Sequence, residues 1–190
     1  MIGKAVRSLT SMSETLVSIN NPRGFRVQLA STPNKSRRWL TKPRVVLVHA
    51  TAGATAEGAL EWFAQKQSQV SADFVIDKTG SIWRVVPRGW YAWHAGVCSF
   101  EGQERRDYNR ISYGIELINR NDGIDPYSQI QVEVLAFVVA TIQTEAPTVT
   151  LLRRHADVAV PAGRKTDPAG LSIEAIYGAV RRFQPEVKLG

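Results

Sequence analysis

The stretch from Arg154 to Pro168 carries an imidazole (His155), an ammonium (Lys165) and a carboxylate (Asp167) on a backbone made irregular by Pro161, Gly163 and Pro168. Such a segment can wrap a metal ion and present a cation beside it. A second stretch, Val45 to Gly53, ends an apolar run on His49. His49, His155 and Asp167 together form a three-ligand set suited to one catalytic zinc per chain with its fourth position open. Zinc held in that way lowers the pKa of a bound water to roughly 7. His49 sits where a rigid strand can aim it. His155 and Asp167 share one loop, so a turn between them must bring them together.

Glu116 is an acidic residue within the otherwise apolar run Tyr113 to Leu117. Buried, it would titrate in a range useful for proton transfer to a leaving amine. The alternative is a solvent-facing position, because Tyr113, Ile115 and Leu117 share one parity and Glu116 the other. Lys165 is either a stabiliser of the oxyanion formed at an attacked carbonyl or a solvated loop cation. His94, between Trp93 and Ala95, either replaces Asp167 as a third ligand or lines a groove against substrate; the second reading is preferred. Trp93, with Trp90 and Tyr91, offers a flat apolar face for a sugar or peptide, although core packing is the commoner task of tryptophan. Cys98, the sole cysteine, excludes an intrachain disulfide and fits a reducing compartment. Its spacing from His94 is poor evidence for a thiol nucleophile, and a plain buried or half-exposed thiol is expected.

At 190 residues the chain fits one domain with a sizeable core. No apolar run reaches the roughly 20 residues that span a bilayer, so no transmembrane segment is expected. Residues 1–16 lack the apolar stretch of a signal peptide, so synthesis in the cytoplasm without one is the expectation. The net charge of +7 includes the pairs Arg37-Arg38, Arg105-Arg106, Arg153-Arg154 and Arg181-Arg182. It favours a polyanionic partner: nucleic acid, an anionic membrane or an anionic cell wall. No basic run interleaved with aromatics marks a nucleic-acid stacking platform, so no specific nucleic-acid partner is expected. A monomer is the favoured oligomeric state.

These groups need elements to hold them. Residues 1–40 read as a basic, partly ordered N-terminal arm, and 41–190 as the catalytic domain, its core beginning at Arg44. Val45 to Val48 has the continuous apolar pattern of a strand buried on both faces. Thr55 to Gln67 reads as a helix capped by Thr55. Phe74 to Asp77 and Ser81 to Val86 read as strands joined by a tight turn. Tyr91 to Gly96 and Ser99 to Asn109 read as loops, the second exposed. Ser112 to Ile118 and Val149 to Leu152 read as strands. Ser128 to Glu145 and Ser172 to Phe183 read as helices. Strands and helices mix without strict alternation, which predicts an α/β domain: one mixed central sheet flanked by helices.

In this order and spacing the chain resembles the type 2 N-acetylmuramoyl-L-alanine amidases, a family that includes AmpD-like recycling amidases, phage endolysins and peptidoglycan recognition proteins. The resemblance runs from about Ser31 to Phe183. It is carried by Val48-His49-Ala50-Thr51-Ala52-Gly53, Val70-Ser71-Ala72, Ile76-Asp77-Lys78-Thr79-Gly80, Trp93-His94-Ala95-Gly96, Tyr113-Gly114-Ile115-Glu116-Leu117 and Gly163-Arg164-Lys165-Thr166-Asp167-Pro168. It implies a mixed sheet with zinc in a surface groove, held by His49, His155 and Asp167. It implies Glu116 as proton shuttle and Lys165 as transition-state stabiliser. The implied reaction is hydrolysis of the amide between the lactyl group of N-acetylmuramic acid and L-alanine of the stem peptide. Arg105, Arg106 and Arg164 are then partners for stem-peptide carboxylates. Peptidoglycan or a muropeptide is the implied partner. The high charge tilts the reading toward a phage-type lytic role, with cytoplasmic recycling of anhydromuropeptides, or binding without cleavage, as alternatives. Asp73 departs from the pattern, standing where a histidine commonly follows the Ser-Ala pair.

Overall fold

The structure is a computed structural model and describes residues 24–183. The expected basic arm therefore lies outside the described residues for positions 1–23. Ten strands are described: β1 (Val27–Leu29), β2 (Lys35–Arg37), β3 (Val45–Ala50), β4 (Phe74–Ile76), β5 (Ile82–Arg84), β6 (Trp90–Ala92), β7 (Cys98–Phe100), β8 (Gln103–Arg105), β9 (Ser112–Leu117) and β10 (Leu151–Arg154). Five helices accompany them: α1 (Ala56–Ala64), α2 (Tyr108–Ile111), α3 (Gln129–Glu145), α4 (His155–Val158) and α5 (Ile173–Phe183). The main sheet has the order β1-β5-β4-β9-β3-β10. It is mixed: β4 runs antiparallel to β5, and the other pairings are parallel.

All six residues of β3 are buried, as the unbroken apolar run requires. Side chains alternate across the sheet. Val46 and Val48 pack toward α3 and α5, while Val45 and Leu47 pack on the opposite face with Ala95, Cys98, Tyr108 and Val158. The same alternation puts His49 on the face away from α3. Helix α3 starts at Ser128, whose hydroxyl accepts from Gln131 N. Its apolar residues surround the axis rather than forming a stripe, which suits a helix buried between the sheet and α5. It stops where Pro147 bars Ala146 from helical backbone. Gly80 sits in the β4–β5 turn at φ +88, and a Cβ there would lie 2.8 Å from Ile130 Cγ1 of α3.

The structure differs from the sequence reading in several places, one being that the stretch read as a loop from His155 opens with α4. Ordered strands precede Arg44: β1 extends the sheet beside β5, and β2 pairs with β6. β6 is the other half of that pair, so Tyr91 and Ala92, expected as loop, are strand. The expected exposed loop from Ser99 to Asn109 holds the β7–β8 hairpin and the start of α2, where Tyr108 is 1% exposed. Among the described residues, no helix is long and apolar enough to cross a membrane.

Candidate metal centre and its groove

Three neighbouring parallel strands end at one place, and such strand ends are where α/β sheets gather ligands. β3 delivers His49, β9 delivers Glu116 directly opposite it in register, and β10 runs straight into His155 at the start of α4. Asp167 arrives from the loop after α4. Its carbonyl accepts from Ala156 N at 2.8 Å, so the loop is tied back to the helix that carries His155. Asn121 fastens the far side, accepting from Ala169 N at 2.7 Å and donating to Thr166 Oγ1 at 3.1 Å.

His49 Nδ1 lies 3.0 Å from His155 Nδ1, and Asp167 Oδ2 lies 3.1 Å from both. All three residues are buried. The surrounding bonds decide where their protons sit. His155 Nε2 is 2.9 Å from Ala95 O, which can only accept, so Nε2 carries the proton and neutral His155 turns a bare Nδ1 inward. Ser112 spends its hydroxyl proton on Tyr108 O at 2.8 Å, so its oxygen accepts from His94 Nε2 at 3.2 Å. That leaves His94 Nδ1 bare to accept from His49 Nε2 at 2.9 Å. His49 therefore also turns a bare Nδ1 inward.

Burial pulls the pKa of His49 down to about 4, against the pull of Asp167, and burial holds His94 well below the usual imidazole range. For Asp167, burial works against ionisation, while a proton on the His155 or His49 ring would hydrogen-bond the carboxylate and hold it well below its ordinary range; a cation in the triangle would take the place of that proton. With both rings neutral and protonated on Nε2, two imidazole lone pairs and a carboxylate oxygen converge on one point. Such a set is stabilised by a cation. Two neutral nitrogens and one anionic oxygen form the donor set of a catalytic zinc site, and tetrahedral bonds of about 2.0–2.1 Å space such donors roughly 3.3 Å apart. The residues present therefore fit a divalent ion of that size.

His94 does line the groove, but its ring nitrogens are committed to His49 and Ser112. It is placed to orient His49 rather than to join the three-atom cluster itself. A Cβ on Gly114 would fall 2.5 Å from the His94 ring, so only glycine lets β9 pass this close. Asp73 keeps that strand in place by accepting from Gly114 N at 2.8 Å. Burial pushes its carboxyl up to about 6, opposed by Arg38. His94→Leu is expected to weaken zinc affinity by about 10- to 100-fold, the usual cost of removing a partner behind a metal ligand. Ser112→Ala should shift it less, in the same direction. Competition with a chromogenic chelator measures both, and wild-type affinity in His94→Leu would remove the relay from the site.

The cluster opens onto a groove of about 400 Å³. Glu116, Lys165 and Arg164 also line it, together with Trp62, Phe63, Val70 and the polar Thr51, Asn121 and Thr166. Glu116 Oε2 is buried without a hydrogen-bond partner. Burial, reinforced by Asp167 and opposed by Lys165, raises its pKa to about 8. Lys165 is exposed on the rim. Arg164 is spent on structure: its Nε donates to Val160 O at 2.8 Å and its Nη2 to Val97 O at 2.6 Å.

The other expected site residues lie elsewhere. Trp93 Nε1 donates to Ser36 Oγ at 3.0 Å, and Trp93 is absent from the groove lining. The β7–β8 hairpin carries Arg105 and Arg106 away: Arg105 pairs bidentately with Asp107, and Arg106 faces Glu104 at 3.8 Å. Conversely, Trp62 supplies an aromatic wall that the sequence reading placed only on a helix. It is 50% exposed, while its neighbour Phe63 turns into the core.

Residues 39–170 match the family pattern described as N-acetylmuramoyl-L-alanine amidase. The chain is 39% identical over 102 residues to the 1,6-anhydro-N-acetylmuramyl-L-alanine amidase AmpD of Enterobacter cloacae, covering 52% of this chain and 50% of that protein. It is 38% identical over 103 residues to the enzyme of the same name from Escherichia coli, covering 53% and 52%. The chain thus matches about half the length of these curated relatives. A crystal structure of a selenomethionine derivative of AmpD superposes with a TM-score of 0.69 at 26% identity, covering 81% of this chain and 94% of that one. AmpDh3 from Pseudomonas aeruginosa, in complex with anhydromuramic pentapeptide, gives 0.59 at 26% identity, covering 72% and 59%. The matched span contains His49, His94, Glu116, His155, Lys165 and Asp167, and with well over half of its length inside that pattern the chain belongs to the N-acetylmuramoyl-L-alanine amidase family.

Proposed function

We propose that this chain hydrolyses the amide between the lactyl group of N-acetylmuramic acid and L-alanine, acting on soluble 1,6-anhydromuropeptides and using zinc held by His49, His155 and Asp167. The observation that carries the reading is the bare-nitrogen and carboxylate triangle beside the partnerless Glu116 carboxyl, all facing one groove. A zinc ion in that triangle would supply an acidified water and a Lewis acid for the amide carbonyl. Glu116 takes the proton of the attacking water on a carboxylate oxygen and returns it to the leaving L-alanine nitrogen. A carboxyl raised toward neutrality suits both halves of that transfer. Lys165, on the rim, faces negative charge that develops on the carbonyl oxygen. Trp62 gives the sugar or the stem peptide a flat apolar wall. Arg164 braces the loop that carries Lys165 and Asp167.

The high positive charge and the basic arm tilted the reading toward a lytic, endolysin-type role. The matched relatives carry the name 1,6-anhydro-N-acetylmuramyl-L-alanine amidase, and this supports the recycling-type substrate instead. Intact sacculi and purified anhydromuropeptides, digested side by side with mass analysis of products, separate the two. The expected result is release of stem peptides beginning with L-alanine from anhydromuropeptides, with intact sacculi cut far more slowly. Chelation should abolish the reaction and added zinc restore it. Activity indifferent to chelators, or muropeptide binding without any released peptide, would end the proposal.

A further inference from the structure

The segment from Lys35 to Arg44 holds Lys35, Arg37, Arg38, Lys42 and Arg44 and no acidic residue. In its middle, Trp39 is 74% exposed and Leu40 is 99% exposed. They follow β2 directly, at the point where the chain leaves its pairing with β6. Lys35 Nζ and Arg37 Cζ flank the Trp90 ring at 5.6 and 4.9 Å from its centroid. On the other side of the tip, Lys42, Arg44 and Arg105 line a hollow of about 560 Å³ beside Phe100. Nearby acids offset this charge only in part: Asp107 pairs with Arg105, and Glu101 stands 3.9 Å from Arg44 with both side chains exposed. Among the described residues, Arg37 and Lys42 have no carboxylate partner.

We propose that the Trp39–Leu40 tip and its flanking cations form a docking site for an anionic lipid surface. Two adjacent apolar side chains in water gain nothing from a phosphate polymer. They gain by entering the boundary between headgroups and acyl chains, where tryptophan is enriched. Exposed lysines and arginines around them complement anionic headgroups. The placement also leaves the groove usable. Arg44 precedes β3, its N bonded to Ile111 O and its O accepting from Leu151 N, so the tip lies near the N-terminal ends of β3, β9 and β10. His49, Glu116 and His155 gather at the opposite ends of the same strands. A chain docked by the tip presents its groove away from the lipid. This docking does not depend on the hydrolytic reading.

The test is co-sedimentation of the full chain with vesicles containing a quarter phosphatidylglycerol in phosphatidylcholine, against vesicles of phosphatidylcholine alone. Binding to the anionic vesicles only, weakened by salt, is expected. Lys42→Gln with Arg44→Gln should weaken it about 30-fold, taking the usual contribution of each cation near such a surface. Trp39→Ser with Leu40→Ser should weaken it about ten-fold or more. Both variants alter exposed side chains, and unchanged melting curves verify the fold. Absence of anionic vesicle binding by the wild type would overturn the proposal. Full binding by the Trp39→Ser, Leu40→Ser variant would also overturn it and identify a bare polyanion site instead.

Discussion

Asp167→Asn is expected to lose its bound metal and, with it, hydrolysis by about a thousand-fold or more, since a metal Lewis acid supplies several kcal/mol to such a barrier. The substitution keeps the size of the side chain. It exchanges an anionic donor for an amide whose NH₂ can hydrogen-bond the bare Nδ1 atoms of His49 and His155, each 3.1 Å from Asp167 Oδ2. The metal-free variant should still fold, because the amide keeps the shape of the carboxyl and retains hydrogen-bond partners in both rings. Elemental analysis after gel filtration, turnover of an anhydromuropeptide and a melting curve read the three effects separately. Stoichiometric zinc in Asp167→Asn would remove Asp167 from the ligand set and return His94 as the third donor, in spite of its commitment to His49 and Ser112.

Glu116→Gln should keep zinc and still lose about 10²- to 10⁴-fold in turnover, the ordinary yield of a positioned proton-transfer group. The wild type should show kcat/KM rising with pH on its acid side as Glu116 ionises, and the variant should lack that limb. Metal bound nearby pulls this ionisation downward, because a cation favours the carboxylate. In the metal-free chain the same group governs stability. Its folded pKa is raised to about 8 from an ordinary 4.5, so between these values the unfolded state has released a proton that the folded state retains. Stability from this group is full below 4.5 and falls as pH rises toward 8. Metal-free Glu116→Gln escapes that fall and should melt higher than metal-free wild type at pH 8. Near-normal turnover in Glu116→Gln would take this residue out of the mechanism.

What the sequence could reveal followed from how each element is stabilised. β3 and α3 are held by their own apolar patterns, so Val45 to Val48 and Ser128 to Glu145 were readable in one dimension. β2 and β6 were not: Lys35–Arg37 has no apolar alternation, and its conformation comes from pairing with Trp90–Ala92, distant in the chain. The hairpin after Cys98 was hidden in the same way. Parity correctly placed Glu116 opposite Ile115 and Leu117, but parity cannot say what covers the second face. That face holds neither core nor open solvent but the groove, and only the pairing of β9 with β3 sets Glu116 opposite His49.

The His49, His155 and Asp167 cluster was legible as residue types on one strand end and one loop, whereas proton positions were not. They depend on Ser112, Tyr108 and Ala95, whose parts in the site arise only from folding. Arg105 and Arg106 were named as carboxylate partners through the family resemblance, and motif order carries no information on which side of a domain a hairpin will turn; neither lines the groove. Trp62 was missed because helical spacing identified its element without showing that α1 borders the groove.

The most direct test uses the fact that the chain has three histidines. Long-range proton–nitrogen NMR of the imidazoles, recorded with and without zinc, reports each ring's tautomer and each metal-bound nitrogen. The expected spectrum of the zinc-loaded chain has His49 and His155 bound through Nδ1 with protons on Nε2, and His94 unbound with its proton on Nε2. A zinc shift on a His94 nitrogen, or zinc titration that leaves the His49 and His155 Nδ1 signals unmoved, would contradict the proposed metal centre.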